Sequence, residues 1–583
     1  MTQAPSPPSI LVGIHEDTNA NAAAVDGGGR ILGAVAEGRI SRVKYAGGFP
    51  EQGIQWLADS GALGGRGAEP VLSSSSWPPA ELQDADLALI VANPYHPLPR
   101  FLGGKLPEGS RDFREPLQTA HLAWHQLLFR SRLLRGSVEQ FCRNRLEKRF
   151  RRDFDFVGHH ACHAASAYFT GPWSEATLVT CDNMGDGECA SVFHGRDGSI
   201  EALWSVGAWH SPGQFYGEVA SFLGIDPMTA GKVTGLAARG QAGAALDILR
   251  RRLRPSSDGK RFIGPPVAQR RRHSRDWSDL SGLPAADVAA GAQACLEETL
   301  VAFVREAVRS TGCPRVALAG GVFANVTLNR KIAELAEVES IWVHPAKSDQ
   351  GIGTGAALLA LSRRRPLQPR PMEHVFLGPS FTDSQCARAL ENAGLVPQQP
   401  DDLAEAAAQL LDEGKVLARF DGALEYGPRA LGNLSVLVRP DDPEVNDWLN
   451  TQLNRSEYMP FAPVTLAEQS DSIYEGTEPV EHCLPFMTVA VPVKEPGDPA
   501  HSGVIHVDGT ARPQVLRRDA NPGMHDILSA FHRRSGIPSL INTSFNRHGE
   551  PIVCSPEDAV TTFLEAGLDG LLLGPFLVTK PGG

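Results

Sequence analysis

GPWSEATLVTCDNMGDGECASVFHGRDGSIEALWSVG (171–207) reads as a buried strand ending in acidic and polar residues, a Gly-flanked loop, a second strand, the tight turn GRDGS and a third strand. The same plan stands near the start of the chain. There ILVGIHEDTNANAAAVD (10–26), GGGR (27–30) and ILGAVAEGRISR (31–42) give a strand, a polar loop, a second strand, a Gly-rich hairpin and a third strand. The two copies lie about 170 residues apart, and such a duplication implies two related lobes around a cleft.

Further strands are expected at DLALIVAN (86–93) and RVALAGG (315–321), with a long amphipathic helix over 284–311. SIWVHPAKSDQGIGTGAALLALSRR (340–364) reads as strand, loop and helix. RRRPLQPRPMEH (363–374) is basic and Pro-rich, the best linker in the chain. Beyond it the pattern becomes α+β, with strands expected near 415–420, 434–438, 487–492 and 570–573. A domain boundary is expected close to residue 371, dividing the chain into 1–370 and 371–583.

A chain of 583 residues exceeds one ordinary core. Its 42% apolar and 21% charged content describes a soluble globular protein, and a formal net charge of -12 argues against non-specific nucleic-acid binding. EKRFRRD (147–153) and QRRRHSR (269–275) read as a solvated helix face and a loop. No stretch approaches the ~18 uninterrupted apolar residues of a membrane span. MTQAPSPPS at the start reads as a short tail without the features of an export signal. Nine scattered cysteines, with no CxxC, imply neither a disulfide framework nor a zinc ribbon, so a reducing cytoplasm is expected.

Four strand-end loops offer groups for anions or metals. They supply His15, Glu16 and Asp17; Asp182 and Asp186; Gly320 and Gly321; and Asp349. Gly320 and Gly321 stand between a strand and a helix, where exposed N–H groups can meet a phosphate or ribose. His159 and His163 are four apart, but 18 histidines give about 0.6 such pairs by chance. The pair gains meaning only from its surroundings.

Eight blocks, in order, supply them: HHACHAASAYF (159–169), CDNMGDG (181–187), AGKVTGLAARG (230–240), GGVFANVTLN (320–329), EYGPRALGNLSVLVRP (425–440), LNRSEYMPFAPV (453–464), HVDGTARPQ (506–514) and INTSFNRHGEPIVCSPEDA (541–559). In these blocks the chain resembles the natural-product O-carbamoyltransferases of the nodulation, cephamycin and aminoglycoside type, over nearly its whole length. The resemblance implies a duplicated, two-lobed α/β domain of the actin-like ATPase (ASKHA) superfold, followed by an α+β domain like the adenylate-forming YrdC protein. It implies that the second domain makes carbamoyl adenylate from carbamoyl phosphate and ATP, with Mg²⁺, and that the first passes the carbamoyl group to a hydroxylated small molecule and releases AMP. No nucleic acid or membrane partner is expected.

Both substrates of the first step are polyanions, which calls for fixed cations. Arg429, Arg455, Arg512 and Arg547 supply guanidinium forks suited to phosphate oxygens. Asn542, Thr543 and Ser544 add short groups for a nucleotide phosphate, and the motifs place Lys232, Gly320, Gly321 and Asn325 with the nucleotide. His159 and His163 share a helix face, and with Asp182 and Asp349 make two imidazoles and two carboxylates, as in the family's metal site. That set suits Fe²⁺, which the resemblance favours, and equally Mn²⁺ or Zn²⁺. His160 lies off that face and reads as a packing residue. His15 is the candidate base for the acceptor hydroxyl, although HEDTNANAA is one residue longer than the family's H-D/N-x-S-A-A; Asp17 and Asp186 come next.

Two other readings share parts of this pattern. Transfer to tRNA adenosine uses both domain types but sits poorly with the acidic balance. A nucleotide-switched, actin-like binding protein would leave the arginine blocks unused.

Overall fold

The computed structural model describes residues 10–16, 19–63, 87–92, 140, 144, 154–265, 277–442, 444–453, 458 and 460–580. Asp17, Arg455, the nine leading residues and both basic runs lie outside the described residues. The chain divides into two compact units. One comprises Met1–Ala34 with Gly47–Pro371, the other Val35–Ala46 with Met372–Gly583.

The first unit carries two five-stranded sheets. One contains β1 (Ile10–His15), β2 (Asn21–Asp26), β3 (Ile31–Ala36), β4 (Leu87–Ala92) and β5 (Phe154–Val157), in the order β3-β2-β1-β4-β5. The other contains β6 (Glu175–Gly185), β7 (Glu188–Arg196) and β8 (Ser199–Gly207). After a small hairpin of β9 (Arg254–Pro255) and β10 (Phe262–Ile263), β11 (Arg315–Ala319) and β12 (Ser340–Val343) complete it in the order β12-β11-β6-β7-β8. Counted outward from β1 and from β6, the two orders are the same. In each sheet the first strand pairs antiparallel with the second and parallel with the fourth, and the fourth is parallel to the fifth.

Local chemistry sets the turns. Asp197-Gly198 joins β7 to β8 and Asp186-Gly187 joins β6 to β7, each pair with both φ angles positive, the conformation a two-residue hairpin of matching twist requires. In the first sheet Asp26 Oδ1 accepts from the N–H groups of Gly28 and Arg30 (2.7 and 2.9 Å). The third strand ends sooner than the sequence suggests, because Glu37–Ser41 turns into a short helix. The long helix runs Ala285–Thr311 and closes on Gly312 at φ 71°.

The second unit is built on a seven-stranded sheet of β13 (Leu417–Phe420), β14 (Leu434–Val438), β15 (Ala462–Leu466), β18 (Gln514–Leu516), β19 (Ser539–Ser544), β20 (Gly570–Leu573) and β21 (Phe576–Thr579). Their order is β18-β15-β19-β14-β13-β20-β21, and β16 (Val491–Pro492) pairs apart with β17 (Thr510–Ala511). Side chains alternate between two cores. Ala418, Phe420, Val436, Leu571 and Leu573 face helices Asp383–Asn392 and Pro556–Ala566, whereas Leu417, Leu437 and Leu572 face Leu403–Asp412 and Pro522–Ser535. The strand expected over 487–492 is confined to Val491–Pro492: Glu478–Phe486 is a 3₁₀ helix, and Met487 after it takes φ 54°. No helix among the described residues is long and apolar enough to cross a membrane.

Val35–Ala46 packs with this second unit. Arg39, 6% exposed, donates from Nη2 to the Gly427 carbonyl (3.0 Å). Arg42 donates to the carbonyls of Ile552 (2.6 Å) and Pro551 (3.2 Å) and lies 3.3 Å from Asp558. Replacing Arg39 by Met keeps the aliphatic volume but strands the half-buried Gly427 carbonyl. Arg39→Met should lower the unfolding free energy by about 1–3 kcal/mol in urea titrations. A change under about 0.5 kcal/mol would mean that the guanidinium does not anchor the segment.

Candidate metal centre

Three elements of the first unit bring the donors together. The helix His159–Phe169 places His159 and His163 one turn apart. Its N-terminus has no cap from Gly158; instead Asp186 accepts the His159 N–H (2.6 Å), so this candidate base is engaged as a cap. Asp182 stands where a bulge between Cys181 and Gly185 interrupts the β6–β7 ladder. Asp349 opens the short turn before the helix Ile352–Arg364.

His163 Nε2 stands 3.1 Å from Asp182 Oδ2 and 3.6 Å from Asp349 Oδ1. His159 Nε2 is 3.6 Å from Asp349 Oδ1 and 3.9 Å from Asp182 Oδ2, both too long for a hydrogen bond. One donor atom from each of the four residues lies within 4.8 Å of the others. Bonds of about 2.1 Å to one ion put neighbouring donors about 3.0–3.4 Å apart, so this spacing is that of a slightly open coordination shell. His159 Nε2 and Asp349 Oδ1 are buried and have no hydrogen-bond partner among the described residues. Two buried imidazoles and two carboxylates converging on one point call for a cation, and these residues fit a divalent one.

The electrostatics agree. Burial alone would lower the His159 imidazole, but Asp182, Asp349 and Asp186 outweigh it and raise it to about 9. Burial works to raise Asp182, yet His159 and His163 hold it well below the usual carboxylate range. His160 bonds Thr180 through Nδ1 (2.8 Å) and is pushed down to about 3 by burial and by its two imidazole neighbours, so it stays neutral and structural. His15 is fully buried at the end of β1, its ring centroid 6.2 Å from that of His159. The structure thus brings the candidate base beside the candidate metal ligands.

The nucleotide residues expected in this unit fall differently. Gly320 (φ 107°) donates its N–H to the Lys347 carbonyl (2.6 Å), and Gly321 donates to Asp182 Oδ2 (3.1 Å). Both amides, expected to be open to a phosphate, hold the loop and the Asp182 carboxylate instead. Asn325 caps the helix Val326–Ala333 through Leu328 N–H (3.0 Å) and exchanges hydrogen bonds with Gln293, so its amide is internal too. Lys232 begins the helix Lys232–Ala237 and is half-buried. His344 and Lys347 are also fully buried in this unit. No local signal marks them, because their burial follows from packing between distant segments.

In the second unit, Glu425 Oε1 accepts from the N–H groups of Leu431, Asn433 and Leu434 (3.0, 3.0 and 3.1 Å), curling the Gly427–Gly432 loop that bears half-buried Arg429. Gln514, two residues past half-buried Arg512, donates to the Leu431 carbonyl (2.8 Å). Asn542 donates to Gln514 (2.7 Å) and to the Ala430 carbonyl (3.3 Å), which makes it a support behind the loop. Thr543 is buried and Ser544, ending β19, half-buried. Arg547, expected at a phosphate, pairs with Glu565 on an exposed face.

In metal-stripped protein the folded value of His159 stands above the ordinary ~6.5. Its stabilisation is therefore complete below about pH 6.5 and lost as the pH rises through about 9. Asp182 acts at the other end: its contribution is present above about pH 4 and lost as the pH falls further. Urea midpoints of chelator-treated protein should decline on both sides of that window, and His159→Gln should remove the alkaline decline. An unchanged alkaline slope in that variant would contradict the assignment.

Comparison with known proteins matches residues 11–358 to the family model described as carbamoyltransferase N-terminus and residues 408–580 to carbamoyltransferase C-terminus. Nodulation protein NolO of Bradyrhizobium diazoefficiens is 36% identical over 73% of this chain and 79% of its own length. Nodulation protein NolNO of Sinorhizobium fredii is 31% identical over 95% of this chain and 78% of its own. The 3'-hydroxymethylcephem-O-carbamoyltransferase of Amycolatopsis lactamdurans is 34% identical over 44% of this chain and 47% of its own. Among solved structures, component A of the Acidaminococcus fermentans (R)-2-hydroxyglutaryl-CoA dehydratase covers 61% of this chain and 99% of its own, at 16% identity and a TM-score of 0.32, too low to inform the site.

Proposed function

The chain belongs to the carbamoyltransferase family and is an enzyme of that class, and from that premise we propose that it carbamoylates a hydroxyl of a small natural product in two half-reactions. The observation that carries this reading is the four-donor cluster of the first unit, standing on a chain that has both halves of the family. The relative named as an O-carbamoyltransferase supports an oxygen acceptor. The net charge of -12 speaks against a tRNA acceptor.

We assign the first half-reaction to the second unit, which we read as the YrdC-like domain, with Val35–Ala46 added to residues 371–583. Water releases carbamate and phosphate from carbamoyl phosphate. A carbamate oxygen then displaces pyrophosphate from the α-phosphorus of Mg²⁺-bound ATP, giving carbamoyl adenylate. Arg429, Arg455 and Arg512 hold the phosphates, their charges countering those of the displaced groups. The Glu425-bound loop presents Arg429 in a fixed place, so little ordering is left for the moment of binding.

The second half-reaction belongs to the first unit. We infer that its two sheets are copies of one lobe, as in the actin-like superfold; their common strand order supports this. The acceptor oxygen attacks the carbamoyl carbon, its proton passes to His15, and the bond to the AMP oxygen breaks. An alcohol is too weak an acid to ionise first, so His15 takes the proton as the new bond forms. A divalent ion on His159, His163, Asp182 and Asp349 would supply a Lewis acid for the adenylate phosphate and ease the departure of AMP. Iron(II) is the first choice from the family resemblance, with Mn²⁺ and Zn²⁺ also compatible.

The half-reactions separate by mutation. His163→Ala should lose the ion and transfer activity while pyrophosphate release from ATP and carbamoyl phosphate persists. Arg429→Ala and Arg512→Ala should each slow pyrophosphate release by about 100-fold or more and still transfer from added carbamoyl adenylate. Full metal content in a His159/His163 double-alanine protein, or unslowed pyrophosphate release in both arginine variants, would overturn the corresponding half.

A further inference from the structure

The two candidate carboxylate ligands are held in different ways. Asp182 is gripped on its own oxygens, by the N–H groups of Asn183 (2.6 Å) and Gly321 (3.1 Å). Asp349 has no such grip on its inner oxygen: Oδ1 is buried and, among the described residues, accepts no hydrogen bond. Its main chain, by contrast, is held, because the Asp349 carbonyl accepts a hydrogen bond.

That main chain meets Asn21. Asn21 is 2% exposed and begins β2, directly opposite His15 in the β1–β2 ladder. Its Nδ2 donates to the carbonyls of Asn19 (2.8 Å) and Asp349 (2.7 Å), and its Oδ1 accepts the N–H of Gly353 (2.9 Å). The carboxamide thus grips both ends of the turn from Asp349 to the first residues of the helix Ile352–Arg364. Gly353 has no Cβ to spare here, since one would meet Asn21 Oδ1 at 2.6 Å. The amide supplies the donor and the acceptor from separate atoms at the two ends of the turn; a carboxylate would set an oxygen against the Asp349 carbonyl.

We propose that Asn21 is a positioning residue of the metal centre, setting the main chain of Asp349 and so the place of its carboxylate against His159 and His163. The inference rests on the metal-site reading above. Through its ladder pairing, the same residue also ties that carboxylate to the strand end that carries His15. Groups that orient a ligand from outside the coordination shell typically govern affinity by about 10–100-fold.

The test uses the full chain, with Mn²⁺ and Zn²⁺ as probes in competition with a chelator. Asn21→Asp keeps the acceptor for Gly353 and removes the donor to Asp349. It should raise the ion's dissociation constant by about 10–100-fold and leave pyrophosphate release unchanged. Asn21→Ser, the milder change, serves if the first variant does not fold, and should weaken the ion in the same direction. Unfolding midpoints of the metal-stripped proteins are measured alongside. A lower midpoint with an ion affinity within about twofold of wild type would make Asn21 merely structural and overturn the proposal. Wild-type protein that binds neither ion would instead refute the metal reading itself, and the inference with it.

Discussion

Backbone meets backbone where the helix Ile352–Arg364 enters the first unit. A Cβ on Gly13 of β1 would overlap the Gly353 carbonyl, and one on Gly355 would overlap the carbonyl of Cys162 in the histidine helix. Without side chains at these points, the helix lies against both neighbours at once. Its leading turn then brings Asp349 to two imidazoles that belong to a segment nearly 190 positions earlier in the chain. Any larger residue at these positions would separate the elements by more than the tolerance of a coordination shell, which is a few tenths of an ångström.

The contacts around that junction serve position more than affinity for a nucleotide. Gly320 and Gly321 hold a loop and a carboxylate, Asp186 caps the histidine helix, and Asn325 caps another helix. Each is a polar group that a strand-end motif suggests is open to a ligand, and each is closed on the protein itself. The second unit shows the same economy in its Arg429 loop, where Glu425, Gln514 and Asn542 are used to shape the backbone that presents one cation. Rigid support of this kind lets a few side chains face substrate in a fixed geometry.

Burial and charge then act together. The centre lies in surroundings where an unpaired charge is costly, and two of its groups are tuned by their neighbours: His159 upward by the carboxylates, Asp182 downward by the imidazoles. His160, one residue from His159, is driven the other way because burial and the two neighbouring imidazoles oppose its charge, while its ring bonds Thr180. Neighbours in sequence thus differ in chemistry because they face different sides of one helix.

The hairpins were legible because Asp-Gly pairs prescribe their own turn, and the long helix because its apolar period extends over seven turns. The family was legible because eight blocks stand in order, and the His159/His163 pair because a helix repeats every 3.6 residues. All of these are local properties, set by residues a few positions apart. The packing of Arg39 and Arg42 within the second unit, the internal use of the Gly320 and Gly321 amides and the grip of Asn21 on Asp349 depend on segments tens to hundreds of residues apart. An amide or a guanidinium carries no mark of which distant carbonyl it will meet; only the packed chain selects that partner, since a buried polar group must find one where the fold has put it.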